Sequence, residues 1–120
     1  MISRDQVEDL FERTRSLHKA RRASWDIDGI CRWSFFFIDS SREKLAQLGR
    51  HLEQLGYEVV GFLEPTPEDD DQQTIYLRVD RVEKHSVDSL LARNTEFYAL
   101  ARKFNVADYD GMDSGAVDGP

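Results

Sequence analysis

The amino-acid sequence predicts an α+β fold, with helices packed on an antiparallel sheet. Three observations lead to this prediction. Apolar residues alternate with a period of two in several runs, they recur at helical spacing before and between those runs, and the segments follow the order helix, then β-α-β-β-α-β. A length of 120 residues with 40% hydrophobic residues is enough for one domain with a buried core.

The first segment is predicted to be a helix. Ser3 and Gln6 have the spacing of a capping box, in which each side chain satisfies a free backbone N–H group at the helix start. We expect the helix to end near Arg21 or Arg22. Its narrow apolar stripe consists of Val7, Leu10, Phe11, Thr14 and Leu17.

The strongest strand signal covers Ile30 to Ile38. Alternation places three side chains on each face of such a strand. One face carries Trp33, Phe35 and Phe37, and the other carries Ser34, Phe36 and Ile38. Because both faces are largely apolar, we predict that this strand lies in the centre of the sheet.

The second helix is predicted to start with a capping box formed by Ser40 and Glu43. Gly56 is well placed as the left-handed residue that ends it. Its apolar stripe consists of Leu45, Leu48, Leu52 and Leu55.

Two strands, a third helix and a short last strand complete the predicted domain. The strands cover Tyr57 to Leu63 and Thr74 to Val82, and a polar loop joins them. Ser86 is the predicted N-cap of the third helix, and Asn105 closes it. The last strand falls within residues 106–112. We therefore predict a single domain over residues 1–113 and a flexible tail over residues 114–120.

This order of elements predicts a ferredoxin-like sandwich with an additional N-terminal helix. Right-handed crossovers place the second and third helices on one face of the sheet. The other face would then expose an apolar patch too large to be left in water without a reason. That patch comprises Phe36, Ile38, Val60, Phe62 and Tyr76. We predict that the first helix covers it, and the alternative is that another chain does.

Composition excludes several classes of function. The 16 basic and 23 acidic residues leave a formal net charge of −7, which argues against a general nucleic-acid binder. No apolar run approaches the roughly 20 residues that span a bilayer, and the chain starts without the apolar stretch of a secretory signal. The single Cys31 forms neither an internal disulfide nor a paired-cysteine zinc site. We predict a cytoplasmic protein that binds neither a membrane nor a cofactor.

The sequence shows no catalytic constellation. His18, His51 and His85 lie on three different predicted elements, and no pair has the i, i+4 spacing of a helical metal site. Cys31 has no histidine close in sequence that would activate it as a nucleophile. We interpret these residues as structural and predict that the protein is not an enzyme.

Two features are candidates for binding a protein partner. The acidic run Glu68, Asp69, Asp70 and Asp71 lacks the ligand spacing and turn glycine of an EF-hand, so it is interpreted as a solvated loop that steers a basic partner. Trp25 falls in the connection between the first helix and the first strand. It either packs over the core or serves as an exposed anchor for the partner.

Two short motifs follow the second and third helices: Gly56-Tyr57-Glu58-Val59 and Tyr109-Asp110-Gly111-Met112. Together with residues 82–86 before the third helix, their order and spacing resemble the RraB family over residues 34–117. The resemblance implies a ferredoxin-like sandwich and a non-enzymatic regulator. Such a regulator binds ribonuclease E, or another RNA-processing enzyme, and restrains RNA decay.

The motif residues Gly56, Tyr57, Tyr109, Asp110 and Gly111 also have a structural interpretation. Gly111 can take a positive φ, Asp110 can bond backbone N–H groups in a turn, and Tyr109 can bury its ring. We therefore expect them to build a corner of the fold rather than a binding site. The chain departs from the family pattern in having Met112, where members often have Trp, and in lacking a long acidic tail.

An alternative function is that of an immunity- or antitoxin-type inhibitor of a toxin or another nuclease. Compact acidic inhibitors of nucleases use the same electrostatics. A homodimer formed through the second face of the sheet is compatible with either function.

Overall fold

Within residues 1–118, three helices and four strands form an α+β structure with one antiparallel sheet. The structure is a computed structural model and describes residues 1–118. The elements are α1 (Arg4–Lys19), β1 (Ile30–Asp39), α2 (Arg42–Gln54), β2 (Glu58–Leu63), β3 (Ile75–Lys84), α3 (Val87–Lys103) and β4 (Asp108–Gly115). Across residues 1–118, none of the helices combines the length and the apolar character needed to cross a bilayer.

The strands lie in the order β2-β3-β1-β4, and every neighbouring pair is antiparallel. β1 pairs with β3 on one side and with β4 on the other, which confirms its predicted central position. β3 lies between β1 and β2, so the strands that α2 connects are not neighbours.

Local signals place most helix ends. The capping box of Ser3 and Gln6 is present at α1, and Ser86 is the N-cap of α3, as predicted. Gly56 has a φ of 98° and Asn105 a φ of 55°, so both helices end in the predicted left-handed conformation. α1 ends at Lys19, slightly before the predicted position.

The predicted capping box at α2 is wrong by one residue. The N-cap is Ser41, whose hydroxyl accepts a hydrogen bond from the backbone N–H of Lys44 at 3.2 Å. The physical reason is the buried Asp39 carboxylate, which accepts the N–H of Ser41 at 2.7 Å and holds the preceding turn. Ser40 lies within that turn, before the helix begins.

The core lies between the sheet and all three helices. The Phe11 ring of α1 lies 6.0 Å from Trp33, and the Phe97 ring of α3 lies 5.0 Å from Phe35, measured between centroids. Trp33, Phe35 and Phe37 are fully buried on this side of β1. The prediction that α1 covers the opposite face of the sheet is therefore wrong. The large Trp33 ring near the start of β1 provides the apolar surface on which the α1 stripe packs instead.

The other side of the sheet carries no helix of the described chain. We call it the open sheet face, and its side chains come from alternate positions of all four strands. They are Ile30, Arg32, Ser34, Phe36 and Ile38 of β1, Tyr76, Arg78, Asp80, Val82 and Lys84 of β3, Glu58 and Leu63 of β2, and Asp108 and Asp113 of β4.

A β-bulge moves Phe62 away from the open sheet face. The register between β2 and β3 shifts between Val59 and Gly61, so that Phe62 pairs with Leu77 and Leu63 pairs with Tyr76. Phe62 therefore points to the side of the helices, where the Arg42 guanidinium lies 4.4 Å from its ring centroid. The predicted patch is therefore wrong at two positions, because Leu63 takes the place of Phe62 and Val60 is the extra residue of the bulge.

The last strand starts and ends later than predicted. The backbone N–H of Val106 donates to the carbonyl of Ala101 at 2.9 Å, so Val106 closes α3 instead of starting a strand. Ser114 and Gly115, which the sequence assigned to the flexible tail, are the last residues of β4. Residues 119–120 of that tail lie outside the described part of the chain.

Candidate functional site

The acidic loop, residues 68–71 between β2 and β3, is exposed throughout. Two of its carboxylates hold the loop together. Asp69 accepts the backbone N–H of Thr66 at 2.8 Å, and Asp71 accepts the backbone N–H groups of Gln73 and Thr74 at 2.8 and 3.1 Å. The loop therefore has a defined shape, which fixes where its charges are displayed.

The charge of Asp71 is maintained by its local contacts. The hydroxyl of Thr74 donates to its side chain, and this bond, followed by the backbone N–H groups of Gln73 and Thr74, holds the pKa of Asp71 below its ordinary value. Glu68 and Asp70 are exposed beside it. The loop and the adjoining ends of β2 and β3 border a cleft of about 440 Å³, and Leu63 and Tyr76 are among the residues that line it. Within residues 1–118, no three His, Cys, Asp or Glu side chains converge as metal ligands would.

Trp25 is partly buried and packs against the core. Its indole Nε1–H donates to the hydroxyl of Ser114 at 3.0 Å, which links the α1–β1 connection to the end of β4. The ring also borders a cleft of about 310 Å³ with Arg32 and Phe36 of the open sheet face. Trp25 thus combines a packing contact with a surface that remains accessible at the rim of the sheet.

The two predicted partner-binding features lie at opposite ends of the sheet. Trp25 contacts Ser114, which pairs with Trp33 of β1. The acidic loop leads into Ile75, which pairs with Asp39 of β1. Six residues of strand separate these positions, a distance of roughly 20 Å. A partner that touched both would have to extend along the sheet.

The Tyr-Asp-Gly motif forms a β-bulge. Tyr109 pairs with Phe37 and Gly111 pairs with Phe36, so Asp110 is the extra residue on β4. Gly111 has a φ of 140°, a conformation that favours glycine. The bulge turns the Tyr109 ring into the core, where burial raises the pKa of its hydroxyl.

The Gly-Tyr motif, between α2 and β2, contributes to the same aromatic core. Gly56 turns the chain after α2, and the ring of Tyr57 lies edge-on to Phe35 with a centroid distance of 6.2 Å. The guanidinium of Arg81 lies 5.0 Å from the Tyr57 ring centroid, and burial raises the pKa of the Tyr57 hydroxyl. The structure thus places the two family motifs around one aromatic cluster.

A largely buried ionic cluster that was not predicted from the sequence joins the end of β3 to α3. Glu83 receives two hydrogen bonds from Arg93, at 2.6 and 3.2 Å, and its Oε2 lies 2.7 Å from Nε2 of His85. Burial alone would raise the pKa of Glu83, but the hydrogen bonds from His85 and Arg93 outweigh it and hold the pKa below its ordinary value. Glu83 near the end of β3 and His85 just after it have an i, i+2 spacing, which is the signal that could have indicated their shared side but not their partner Arg93.

The same cluster includes a chain of groups that resembles a hydrolytic triad in its residue types. Nδ1 of His85 lies 2.9 Å from the hydroxyl of Ser89. That hydroxyl also accepts the backbone N–H of Ser86 at 2.8 Å, as part of the α3 capping box. Because Arg93 neutralises Glu83, the carboxylate is poorly placed to activate His85. The arrangement therefore anchors the first turn of α3 to β3.

A second ionic cluster lies in the middle of the open sheet face. The fully covered Asp80 carboxylate lies 3.3 Å from Nη1 of Arg32 and 3.0 Å from Nη2 of Arg78. Arg32 also contacts Glu58 at 3.1 Å. Burial alone would raise the pKa of Asp80, but the hydrogen bonds from Arg78, Ser34 and Arg32 together hold it below its ordinary value. These four charges are thus paired within the sheet, and Lys84, Asp108 and Asp113 lie outside the cluster on the same face.

Apolar side chains flank this cluster at both ends of the open sheet face. Ile30 and Val82 are 65% and 43% exposed at one end, and Leu63 is 64% exposed at the other, beside the partly buried Tyr76 and Ile38. The exposed apolar surface thus forms two groups, one on each side of the ionic cluster.

A protein-family model described as RraB, Regulator of ribonuclease activity B, matches residues 8–114. This match covers most of the chain, from α1 to β4. The chain belongs to the RraB family. The resemblance is confirmed, and the match includes most of α1. No curated protein matches the chain.

RraB membership supports a regulatory role and implies a protein partner. The family is one of regulators rather than of catalysts, in agreement with the structural function of the Glu83–His85–Ser89 chain. All the predicted site residues, from Trp25 to Gly111, lie within the matched range.

Proposed function

We propose that this RraB-family protein binds an endoribonuclease of the ribonuclease E type, or a comparable RNA-processing enzyme, and restrains RNA decay. It does so by covering a surface of the enzyme, without chemistry of its own. The family match over residues 8–114 is the observation that carries this proposal. An immunity- or antitoxin-type inhibitor would rely on the same electrostatics, but the family match favours the ribonuclease.

The acidic loop is the proposed steering element for this partner. Its four carboxylates are exposed, and hydrogen bonds to Asp69 and Asp71 support its shape. The formal net charge of −7 adds a long-range attraction for a basic segment. Such attraction acts mainly on the association rate and weakens as salt shortens the Debye length to about 8 Å at physiological ionic strength.

Trp25 is the proposed anchor at the other end of the sheet. Its indole packs against the core on one side and borders the cleft with Arg32 and Phe36 on the other. Tryptophan buries a large apolar area with few rotatable bonds, which is why it is common among residues that dominate binding energy.

The architecture that carries these features is proposed to be a ferredoxin-like sandwich with an added N-terminal helix, located in the cytoplasm. The strand order β2-β3-β1-β4, with all neighbours antiparallel, supports this assignment of the fold.

The experiment is a titration of this protein into purified ribonuclease E, with binding kinetics and cleavage of a fluorogenic RNA as the two measurements. A loop variant, Glu68→Gln with Asp70→Asn, removes two charges but keeps the carboxylates that shape the loop. A control variant, Glu8→Gln with Glu12→Gln, removes the same number of charges from the exposed side of α1. We expect association of the loop variant to be slower by roughly 3- to 10-fold at low salt, and the control to stay close to the original protein.

Absence of binding and of inhibition at any salt concentration would refute the proposed function. Equal effects of the loop and control variants would refute the steering role of the loop.

A further inference from the structure

We propose that the open sheet face binds a second copy of this chain and forms a sheet-on-sheet homodimer. This goes beyond the proposed function, because it assigns the open sheet face to a second copy of the chain; Trp25 and the acidic loop adjoin this face. α1, α2 and α3 all pack on the other side of the sheet, as Phe11, Gly49 and Phe97 show by their contacts with it. Among the described residues, Trp25 and residues 115–116 border the open sheet face along one edge.

The ionic cluster on this face can be covered without leaving an unpaired charge. It contains two cations, Arg32 and Arg78, and two anions, Glu58 and Asp80, so it is neutral as a whole. Burial of an ion pair is costly when one partner is missing, but here each charge already has a counter-charge within the sheet. A basic segment of another protein gains little from a neutral cluster, whereas an identical neutral cluster causes no repulsion.

The apolar side chains are arranged so that a two-fold axis pairs them. They lie at both ends of the face, with Ile30 and Val82 at one end and Ile38, Leu63 and Tyr76 at the other. A two-fold axis in the interface, whether parallel or perpendicular to the strands, places apolar ends on apolar ends. It also places the neutral cluster over its own copy, as an isologous interface requires.

The area of the face suits a weak dimer. Four strands spaced by about 4.8 Å, with eight or nine residues each at about 3.3 Å per residue, give roughly 550 Å² per copy. The total is close to the lower limit of about 1,200 Å² for specific interfaces. We therefore expect a dimer that dissociates on dilution.

Salt separates this dimer from the proposed ribonuclease complex. Two copies with a formal net charge of −7 each repel one another, and the open sheet face itself carries three cations and four anions per copy. Added salt screens this repulsion and strengthens the dimer. Added salt weakens a complex between the acidic loop and a basic partner. The two associations therefore respond to salt in opposite directions.

The test is sedimentation equilibrium from low micromolar to several hundred micromolar protein, at low and high salt. Val82→Glu places a charge on the open sheet face, and Leu17→Glu is its control, since these side chains are 43% and 42% exposed and Leu17 lies on α1. We expect the original protein and L17E to dimerise, more strongly at high salt. We expect V82E to raise the dissociation constant on the order of tenfold or more. Leu63→Glu is a second variant in case V82E does not fold, as circular dichroism would show.

A protein that stays monomeric at the highest concentration, or dimers that persist unchanged in both V82E and L63E, would overturn the proposal. Loss of ribonuclease binding in V82E, with the original protein monomeric, would also overturn it and assign the face to the ribonuclease. Inhibition of the ribonuclease by a strictly monomeric protein would leave the proposed function intact. Dimerisation without ribonuclease binding would support the dimer and refute the proposed function.

Discussion

The hydroxyl of Tyr109 donates a hydrogen bond of 2.7 Å to Oδ1 of Asn94, and both side chains are buried. This bond connects β4 to α3 beneath the bulge formed by the Tyr-Asp-Gly motif. Within residues 1–118, Nδ2 of Asn94 is buried without a hydrogen-bond partner. The Tyr109 hydroxyl is therefore important for keeping Asn94 in the core, because a buried amide without partners is costly.

Replacing Tyr109 with Phe should destabilise the protein by about 1–3 kcal/mol, because Oδ1 of Asn94 would lose its partner while remaining buried. The free energy of unfolding in urea measures this. The double variant Tyr109→Phe with Asn94→Leu removes both polar groups and should recover much of the loss. If Tyr109→Phe is as stable as the original protein, the bond does not hold Asn94 in the core.

Replacing Asp80 with Asn should destabilise the protein by about 2 kcal/mol, because Arg32 and Arg78 lose their shared carboxylate in the sheet. The pKa of Asp80 in the folded protein is lowered, so its stabilising effect is present at neutral pH and is lost as the pH falls below about 4. Urea unfolding at several pH values measures both effects. The D80N protein should lose less stability than the original between neutral pH and acid, and an unchanged acid dependence would contradict the prediction.

Replacing Arg93 with Met should destabilise the protein by about 2 kcal/mol, because it leaves the largely buried Glu83 with less neutralising charge and removes the guanidinium from three aromatic rings. The pKa of Glu83 should rise, so acid unfolding should begin at a higher pH. Arg13→Met is the control, since Arg13 pairs with Asp9 on the exposed side of α1 and should contribute at most about 0.5 kcal/mol. Thermal and acid unfolding of both variants measure these effects. Equal losses of stability in the two variants would contradict a special role for Arg93.

Replacing Gly111 with Ala should cost about 1–2 kcal/mol, because a φ of 140° is strained for any residue with a Cβ atom. Space is not the obstacle, since the added methyl group would meet Ile2 at 3.7 Å. Gly115→Ala in the same strand is the matched control, with a nearest contact of 3.9 Å and no left-handed φ. Urea unfolding should separate the two variants, and equal stability would show that the bulge relaxes around the new side chain.

Predicted features that depend on neighbouring residues agree well with the structure. The caps at Ser3 and Ser86 and the left-handed ends at Gly56 and Asn105 form between groups a few residues apart. The cap of α2 moved to Ser41 because Asp39, a buried residue, also accepts the backbone N–H of Ala107 at 2.8 Å. A contact between distant parts of the chain thus displaced a local signal by one residue.

The tertiary structure places the two parts of the predicted site far apart. The acidic loop and Trp25 were both identified as candidates, but their placement at opposite ends of β1 depends on the pairing of Asp39 with Ile75 and of Trp33 with Ser114. The clusters around Glu83 and Asp80 were not predicted as clusters, because they join residues from elements that are far apart in sequence. Alternation placed each of these residues on a face but did not reveal its partner.

The amino-acid sequence was sufficient to identify the family, the order of the elements and the central position of β1. These follow from periodicity and from motifs that are read along the chain. It did not reveal that α1 joins the other helices, that a bulge turns Phe62 inward, or that the helices within residues 1–118 all lie on one side of the sheet. Those outcomes depend on which apolar surfaces meet when the whole chain packs, and an apolar stripe is attracted to any such surface of suitable shape because the hydrophobic effect has no direction.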